Sequence, residues 1–347
     1  MSHYEKPAEL YAGLRLHQNE NTGGCSPRVL AALAAMRADQ VGYYPPYAAA
    51  SEVCARHFGV DPDRLLLTNG LDEGIMAISM TLLRQTPGAP VPEAIVPEPA
   101  FEIFGYDTRV AGGRCVRVMP ARDFQFPLDD VLAAVTPATR VVFLTNPNNP
   151  TGVSMPLDAV RTIARRVPAG AVVLVDEAYA EFAGATFIQD LPAFPNVVVG
   201  RTFSKAYGLA GLRIGCLIGS PDALDRIRPA VPVYSVNIAA SVAVEAAIQD
   251  VDHVSAYLCE VAESKRLLYA ACDRLGLTYW RSDANFVLVS AGGRTPALVA
   301  GAAARGVYIR DRSTEAGCDG CVRITTGVVE HTRRCIEVME EVLCGAV

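Results

Sequence analysis

The segment Arg201–Gly215 combines a lysine, hydroxyl side chains and an arginine in one glycine-rich stretch, RTFSKAYGLAGLRIG. A run of valines precedes it, so we expect the segment to leave a buried strand, at the edge where parallel α/β sheets bind their ligands. Thr202, Ser204 and Arg213 could hold a phosphate through their hydroxyl and guanidinium donors. Lys205 would lie beside that anion. A lysine amine that is partly desolvated and crowded by cations has a lowered pKa and becomes a nucleophile.

An amine beside a bound phosphate suggests a Schiff base with pyridoxal 5′-phosphate (PLP). The alternative is a solvated turn in which Lys205 and Arg213 are ordinary surface charges. The other polar motifs of the chain distinguish between these two interpretations.

A carboxylate stands at the end of another predicted strand. Residues 171–175 are apolar, and Asp176 follows them in the sequence Asp-Glu-Ala-Tyr179. Burying a carboxylate there is unfavourable unless a cation meets it. The protonated ring nitrogen of PLP would be such a cation, and Tyr179 could hydrogen-bond the ring hydroxyl. The alternative is a carboxylate that caps the next helix.

A third motif, NPNNPTG at 146–152, directly follows the predicted strand 141–145. Its prolines, asparagines and glycine predict a rigid loop at the carboxyl end of that strand. Asn149 would offer an amide donor to a ring oxygen, whereas the alternative is a purely structural turn.

Two further positions could complete the same site. The predicted strand 65–68 leads through Gly70 into an apolar helix, so the backbone N–H groups of the helix start could face an anion. The alternative is a simple helix start with Asp72 in its first turn. Phe101, at the start of a later helix, could stack on a planar ring or belong to the core.

Arginines mark the C-terminal part of the chain. Arg323 lies within a predicted strand, between two apolar residues, and Arg310 and Arg312 follow another strand. An arginine on one face of a strand is best explained by a bidentate carboxylate or phosphate partner, with a structural ion pair as the alternative.

The elements that position these motifs alternate between strand and helix, which predicts an α/β fold with a mostly parallel sheet covered on both faces. Residues 1–20 form an arm that is polar and irregular until Gly13-Leu-Arg-Leu-His, and a helix opened by Pro27 is predicted over 29–36. Long alanine-rich helices across 238–275 link the first unit to a smaller α/β unit. We therefore expect three parts: an N-terminal arm and helix packing with the small domain at 1–37, a large cofactor-binding domain at 38–235, and a small C-terminal domain at 236–347.

The composition excludes several classes of protein. Of 347 residues, 51% are hydrophobic and 20% charged, and the net charge is −6. The chain can therefore bury a large core and has no basic face for nucleic acid or anionic membrane. Its cysteines are scattered singly, apart from Cys318 and Cys321, so we expect reduced thiols and no metal site. The N-terminus does not resemble a signal peptide and no apolar run is long enough to span a membrane, so we expect a cytoplasmic protein.

Four ordered motifs resemble the class I/II aminotransferases of fold type I. They are Asn149-Pro-Thr-Gly, Asp176-x-Ala-Tyr179, Ser204-Lys205 with Arg213 after it, and Arg323. Within that group, further segments are most similar to the histidinol-phosphate aminotransferases: DEG from Asp72, SDANF from Ser282, RDR from Arg310 and GCVRITTG from Gly320. The resemblance covers essentially the whole chain.

The resemblance implies a homodimer with PLP between a large domain, built on a mostly parallel seven-stranded sheet, and a smaller α/β domain. Lys205 would bind the cofactor covalently and act in catalysis with Asp176 and Tyr179. Asp176 would hold the ring nitrogen, Tyr179 and Asn149 the ring oxygen, and Phe101 the ring face. The phosphate would be held by the backbone of Leu71 and Asp72, by Thr202, Ser204 and Arg213, and by Tyr44 from the other subunit.

The substrate side departs from the family pattern. Arg310 and Arg323 match positions that hold the substrate's phosphate or carboxylate, and Asn19 belongs to the substrate-binding arm. This arm is short and reads NENTGG from Asn19, without the family's Pro-Tyr pair. Phe101 stands in place of the ring-stacking tyrosine and keeps its stacking surface.

We therefore expect an aminotransferase that moves an amino group from L-histidinol phosphate to 2-oxoglutarate in histidine biosynthesis. An aromatic amino acid is the alternative donor, with Arg323 holding its α-carboxylate. A PLP-dependent lyase, decarboxylase or oxidase could use the same residues, because the cofactor stabilises a carbanion whichever bond breaks. A PLP-binding regulator without activity is a further alternative, although no helix-turn-helix or basic segment accompanies the motifs.

Overall fold

The computed structural model describes residues 12–345, so the first part of the predicted arm lies outside the described residues. The strands are β1 (Leu14–Leu16), β2 (Leu65–Thr68), β3 (Glu93–Pro97), β4 (Arg114–Val118), β5 (Thr139–Thr145), β6 (Val172–Asp176), β7 (Val197–Thr202), β8 (Gly215–Ile218), β9 (Thr278–Tyr279), β10 (Phe286–Ser290), β11 (Val307–Asp311) and β12 (Cys321–Thr325).

The helices alternate with the strands through most of the chain. They are α1 (Pro27–Ala34), α2 (Ala38–Gly42), α3 (Ala48–Phe58), α4 (Leu71–Leu82), α5 (Glu102–Val110), α6 (Leu128–Ala133), α7 (Leu157–Arg166), α8 (Ala180–Ala183), α9 (Pro221–Ile227), α10 (Ile238–Gln249), α11 (Val251–Arg274), α12 (Thr295–Ala304) and α13 (Val329–Cys344). Within residues 12–345, every helix is too short or too polar to cross a lipid bilayer.

The larger sheet has the strand order β2-β8-β7-β6-β5-β3-β4. Its strands are parallel except for β8, which runs antiparallel to both β2 and β7. Strands β5 to β7 are valine-rich and buried on both faces, as expected when helices cover both sides of a parallel sheet. The predicted mostly parallel seven-stranded sheet is confirmed.

The register of the central strands places the polar motifs side by side. Thr145, the last residue of β5, pairs with Asp176, the last residue of β6, and Asp176 pairs with Gly200 in β7. Because these strands are parallel, the segments that follow them leave from the same edge of the sheet.

The smaller sheet has the order β1-β11-β12-β10-β9. Strand β1 pairs in parallel with β11, whereas the remaining neighbours are antiparallel. The predicted arm, irregular as far as Gly13-Leu-Arg-Leu-His, contains a short strand at Leu14–Leu16 that was not predicted as such. Three residues are too few for a recognisable alternation, and it is pairing with β11 that makes them a strand.

Helices α1 and α10 belong to the packing of the larger sheet. Buried residues of α10, among them Val244, share one hydrophobic core with Val29 of α1 and with the central strands. The division of the chain at residue 236 stays a prediction. From this packing we propose instead a boundary between α10 and α11, because the C-terminal half of α11 buries Leu268 and Cys272 in the core of the smaller sheet.

Strand β7 continues three residues further than its valines suggest, so Arg201 belongs to the strand and not to the loop that follows it. Its side chain is buried and forms ion pairs with Glu177, at 3.1 Å, and with Glu181. The guanidinium also lies 5.0 Å from the ring centre of Phe58. Paired charge explains why a strand can bury this arginine.

We expect Arg201→Met to destabilise the protein, because Glu177 and Glu181 would remain buried without their cation. Breaking such a buried pair from one side typically lowers the free energy of unfolding by about 3–5 kcal/mol. Urea denaturation measures the change. The control is Arg228→Met, which removes an exposed ion pair with Asp225 and should change stability little. Equal stability of the Arg201 variant and the wild type would contradict this role of the ion pairs.

Candidate active site

A cavity of about 350 Å³ lies between the carboxyl edge of the larger sheet and the smaller sheet. Its walls contain every predicted site residue except one: Asn19, Leu71, Asp72, Phe101, Asn149, Asp176, Tyr179, Thr202, Ser204, Lys205, Arg213, Arg310 and Arg323. The exception is Tyr44, which is exposed on the surface and stacks on Tyr234 with 4.2 Å between ring centres. That Tyr44 reaches the site of another subunit stays a prediction.

One side of the cavity is suited to a phosphate. Helix α4 begins at Leu71, directly after Gly70 at φ 75°, so the donor-rich helix start faces the cavity. A Cβ on Gly70 would lie 2.5 Å from a terminal nitrogen of Arg213, so a larger residue has no room here. Thr202 donates from its hydroxyl to that of Ser204 at 3.0 Å. This is the donor set that the sequence predicted.

Arg213 adopts a left-handed backbone conformation, with φ 56°. Residues other than glycine take this conformation at a cost, and such residues cluster at functional sites. The guanidinium of Arg213 pairs with the carboxylate of Asp72 at 3.0 Å, which holds it beside the start of α4.

Lys205 lies at the centre of the cavity. Its amine donates to the backbone carbonyl of Gln18 at 3.1 Å and lies 5.8 Å from the ring centre of Tyr179. Burial, reinforced by the charge of Arg323, lowers the pKa of Lys205 to about 8. A substantial fraction of the amine is therefore unprotonated near neutral pH, as a nucleophile or a base requires.

Asp176 is a buried residue of the same cavity wall. The hydrogen bond to its carboxylate among the described residues comes from the backbone N–H of Ala178, at 3.0 Å, and no ion pair joins it within residues 12–345. Burial raises the pKa of Asp176 to about 7. A carboxylate in this state is stabilised by any ligand that brings a cation to it.

The cavity is also lined by three polar side chains that could hydrogen-bond an oxygen atom of a ligand. Asn19 donates from its amide to the hydroxyl oxygen of Tyr179 at 3.0 Å, which leaves the hydroxyl proton of Tyr179 available. Asn149 accepts from Arg323 through its amide oxygen at 2.5 Å, so its NH₂ group remains a donor. Both arrangements fit the predicted hydrogen bonds to a ring oxygen.

The cavity wall formed by the smaller sheet carries positive charge. Arg323 donates to the side-chain oxygen of Asn149 and, at 2.8 Å, to the backbone carbonyl of His17. The side chain of Arg310 makes no hydrogen bond or ion pair with any residue between 12 and 345. Burial and the charges of Arg312 and Arg310 lower the pKa of Arg323 to about 9. These guanidinium groups are placed to receive an anion.

Comparison with known proteins assigns the chain to a family. The sequence profile of the family described as aminotransferase class I and II matches residues 12–338. The chain belongs to the class I and II aminotransferases. The predicted family is thereby confirmed.

Individual relatives of this aminotransferase agree along nearly its whole length. It is 36% identical to histidinol-phosphate aminotransferase 2 of Carboxydothermus hydrogenoformans, over 95% of this chain and 91% of that protein. It is also 36% identical to histidinol-phosphate aminotransferase of Symbiobacterium thermophilum, over 95% of this chain and 90% of that protein. This chain also resembles a crystal structure of histidinol-phosphate aminotransferase from Sinorhizobium meliloti in complex with pyridoxal-5′-phosphate. The two structures superpose with a TM-score of 0.88 at 28% sequence identity, over 97% of this chain and 92% of that chain.

The residues of this aminotransferase fit PLP. A helix start, a lysine amine with a lowered pKa and a buried carboxylate without an ion pair among the described residues line one cavity, and their chemistry matches the phosphate, aldehyde and ring nitrogen of PLP. Phe101 lies at the cavity wall, where a ring could stack. Its own role stays a prediction.

Sequence reasoning missed several parts of the cavity wall. Gln18 contributes a backbone carbonyl, which no side-chain pattern reveals. His17 is buried there, and burial together with the charges of Arg310, Arg15 and Arg323 lowers its pKa to about 4, so its imidazole is neutral. Arg312 could have been found, since residues two apart in an extended chain point to the same side.

We expect Asp176→Asn to remove a pH dependence of stability in the cofactor-free protein. The ordinary pKa of this carboxyl is 3.8 and the folded pKa is about 7. Between these values the unfolded chain has lost a proton that the folded chain keeps, so the free energy of unfolding falls as pH rises, by up to about 1.4 kcal/mol per pH unit.

Urea denaturation of both proteins at several pH values between the ordinary and the folded pKa tests this. The stability of the Asn variant relative to wild type should increase as pH rises through that range. A difference that stays constant with pH would mean that Asp176 titrates normally in the fold.

Proposed function

We propose that this protein is a PLP-dependent aminotransferase of histidine biosynthesis that transfers the amino group of L-histidinol phosphate to 2-oxoglutarate. The observation that carries the proposal is that the Lys205 amine, the start of α4 and the carboxylate of Asp176, which has no ion pair within residues 12–345, line the same cavity. Membership of the class I and II aminotransferases supports the reaction type.

Each residue has a defined task in this mechanism. When bound, PLP supplies an electron-poor ring that takes up the electrons of a bond broken at the donor's carbon. Lys205 would hold the cofactor, and as a free amine it would take the proton from the amino-bearing carbon of the donor and deliver it, as a general acid, to the cofactor carbon that receives the amino group. Asp176 holds a proton on the ring nitrogen by its negative charge. Tyr179 and Asn149 donate to the ring oxygen and keep the ring in one orientation.

The phosphate of the cofactor is held away from the reacting atoms. Thr202, Ser204 and Arg213 donate to it together with the backbone of Leu71 and Asp72. Because Thr202 ends β7 and Leu71 and Asp72 begin α4, two rigid elements would fix the distance between the phosphate and Lys205.

The charge of the substrate wall supports a phosphorylated donor. Arg323 donates only to neutral oxygens and Arg310 has no carboxylate partner among the described residues, so two positive charges remain unbalanced. A phosphate monoester carries up to two negative charges and matches them better than the single carboxylate of an aromatic amino acid. The names of the relatives agree with this donor. The same arginines can hold a carboxylate of the 2-oxo acid in the second half-reaction.

We also propose a cytoplasmic homodimer. Tyr43, Tyr44, Val233 and Tyr234 are large apolar residues that are more than half exposed, and the stacking of Tyr44 on Tyr234 joins them into one patch. Such a patch is typical of an interface. All ten cysteines are free thiols, which supports a reducing compartment. Light scattering on the purified protein measures the subunit number.

We expect Lys205→Ala to abolish transamination, with a loss of about 10²- to 10⁴-fold or more, because no other side chain can take the proton. Steady-state turnover with donor and 2-oxoglutarate measures the loss. The control is Lys265→Ala, since Lys265 donates to the carbonyl of Ser282 outside the cavity and its loss should leave turnover intact. Activity that survives the Lys205 change would overturn the mechanism.

We expect kcat/KM for L-histidinol phosphate to exceed the values for phenylalanine and tyrosine by at least about tenfold, because only the first donor satisfies both unbalanced arginines. Good turnover of the aromatic amino acids without turnover of L-histidinol phosphate would overturn the donor but keep the reaction. Release of carbon dioxide or uptake of oxygen without stoichiometric amino transfer would instead favour a lyase, decarboxylase or oxidase.

A further inference from the structure

Arg312 is a third arginine of the substrate wall. It directly follows β11 and lies two residues beyond Arg310, and the side chain is 6% exposed although it lines the cavity. A buried arginine at a cavity wall is unfavourable unless its donors are used. The partners of Arg312 therefore decide what this side chain does.

Two carboxylates accompany Arg312, and they come from different parts of the fold. Glu315, in the turn after β11, pairs with one terminal nitrogen at 2.8 Å. Glu102, in the first turn of α5, lies 3.9 Å from the other terminal nitrogen, beyond hydrogen-bond distance. The Nε of Arg312 is buried and has no acceptor among residues 12–345. Only one of the guanidinium nitrogens is thus firmly bound.

The two carboxylates neutralise the positive charge of Arg312 only in part. Glu315 and Glu102 are close enough to share a proton, and burial, together with Glu102, raises the pKa of Glu315 to about 7. At neutral pH a substantial fraction of Glu315 is therefore protonated. The charge of Arg312 also acts on the guanidinium of Arg323. Among the charged groups around Arg323, Arg312 contributes most to the lowering of its pKa.

We propose that Arg312 is a specificity-determining residue that donates to the phosphate of the amino donor beside Arg310 and Arg323. Glu315 and Glu102 hold the guanidinium at the cavity wall when no donor is bound. Three arginines then bind the doubly charged group, and a donor without phosphate gains nothing from the third. This inference rests on the proposed function, because it requires an amino donor that carries a phosphate.

The test compares Arg312→Gln with Glu315→Gln, using L-histidinol phosphate and L-histidinol as donors that differ only in the phosphate. The holoenzyme with Arg312→Gln should show a KM for L-histidinol phosphate raised by about 10- to 100-fold, with kcat nearly unchanged, since one charge-assisted interaction is lost. Its kcat/KM for L-histidinol should stay within about twofold of wild type.

Glu315→Gln separates this role from a structural one. Glutamine keeps an acceptor for Arg312 but removes the competing negative charge, so the KM for L-histidinol phosphate should fall or stay the same. If the ion pair serves only to hold the turn after β11, both variants should impair both donors and weaken PLP binding alike. That pattern, or an equal loss on both donors in Arg312→Gln alone, would overturn the proposal.

A failure of the proposed function is recognisable separately, because the wild type would then turn over another donor and not L-histidinol phosphate. In that case inorganic phosphate, tested as a competitive inhibitor of that donor, provides the comparison. A raised inhibition constant in Arg312→Gln supports phosphate binding by Arg312, whereas an unchanged constant overturns it.

Discussion

The buried carboxylate of Asp176 imposes the constraint on which the rest of the structure depends. A carboxylate at the end of a fully buried strand is unfavourable without a cation, and a single backbone N–H does not stabilise its charge fully. The folded protein therefore contains a buried carboxylate that would be stabilised by the binding of a positively charged ring nitrogen. In the same cavity, the start of α4 and Arg213 favour an anion. A ligand with a cationic ring and a phosphate satisfies both requirements at once, and Lys205 lines the cavity that would hold it.

The sequence revealed this half of the site because each contributing residue is fixed by local rules. A valine-rich strand followed by a polar residue predicts both the strand and the edge at which Asp176 lies, and a glycine before a helix predicts the anion-binding start of α4. Parallel pairing then brings the ends of β5, β6 and β7 together, so motifs far apart in the chain become neighbours. The alternation of predicted strands and helices also predicted the larger sheet. Parallel strands that are buried on both faces appear in the sequence as nearly continuous runs of apolar residues.

The parts that escaped prediction depend on contacts between distant segments. Leu14–Leu16 becomes a strand because β11 offers a free edge, and Gln18 reaches Lys205 through a backbone carbonyl that every residue type has. Arg201 is a charged residue of the kind expected in a loop. It nevertheless belongs to β7, because Glu177, which directly follows β6, pairs with it. In each case the deciding partner is remote in sequence. Local pattern cannot identify such a partner, and charge alone does not say whether an arginine binds a ligand or a carboxylate.

The two walls of the cavity thus solve different problems. In the proposed function, the wall on the larger sheet holds the cofactor, whose charges complement those of its side chains. The wall on the smaller sheet would bind the donor, and its positive charge is only partly balanced by the protein itself, through Glu102 and Glu315. Because Glu102 belongs to α5 and Glu315 to the turn after β11, the balance also joins the two walls. An anion that enters between them competes with these carboxylates for the same guanidinium groups, so donor binding and the contact between the walls are coupled by charge.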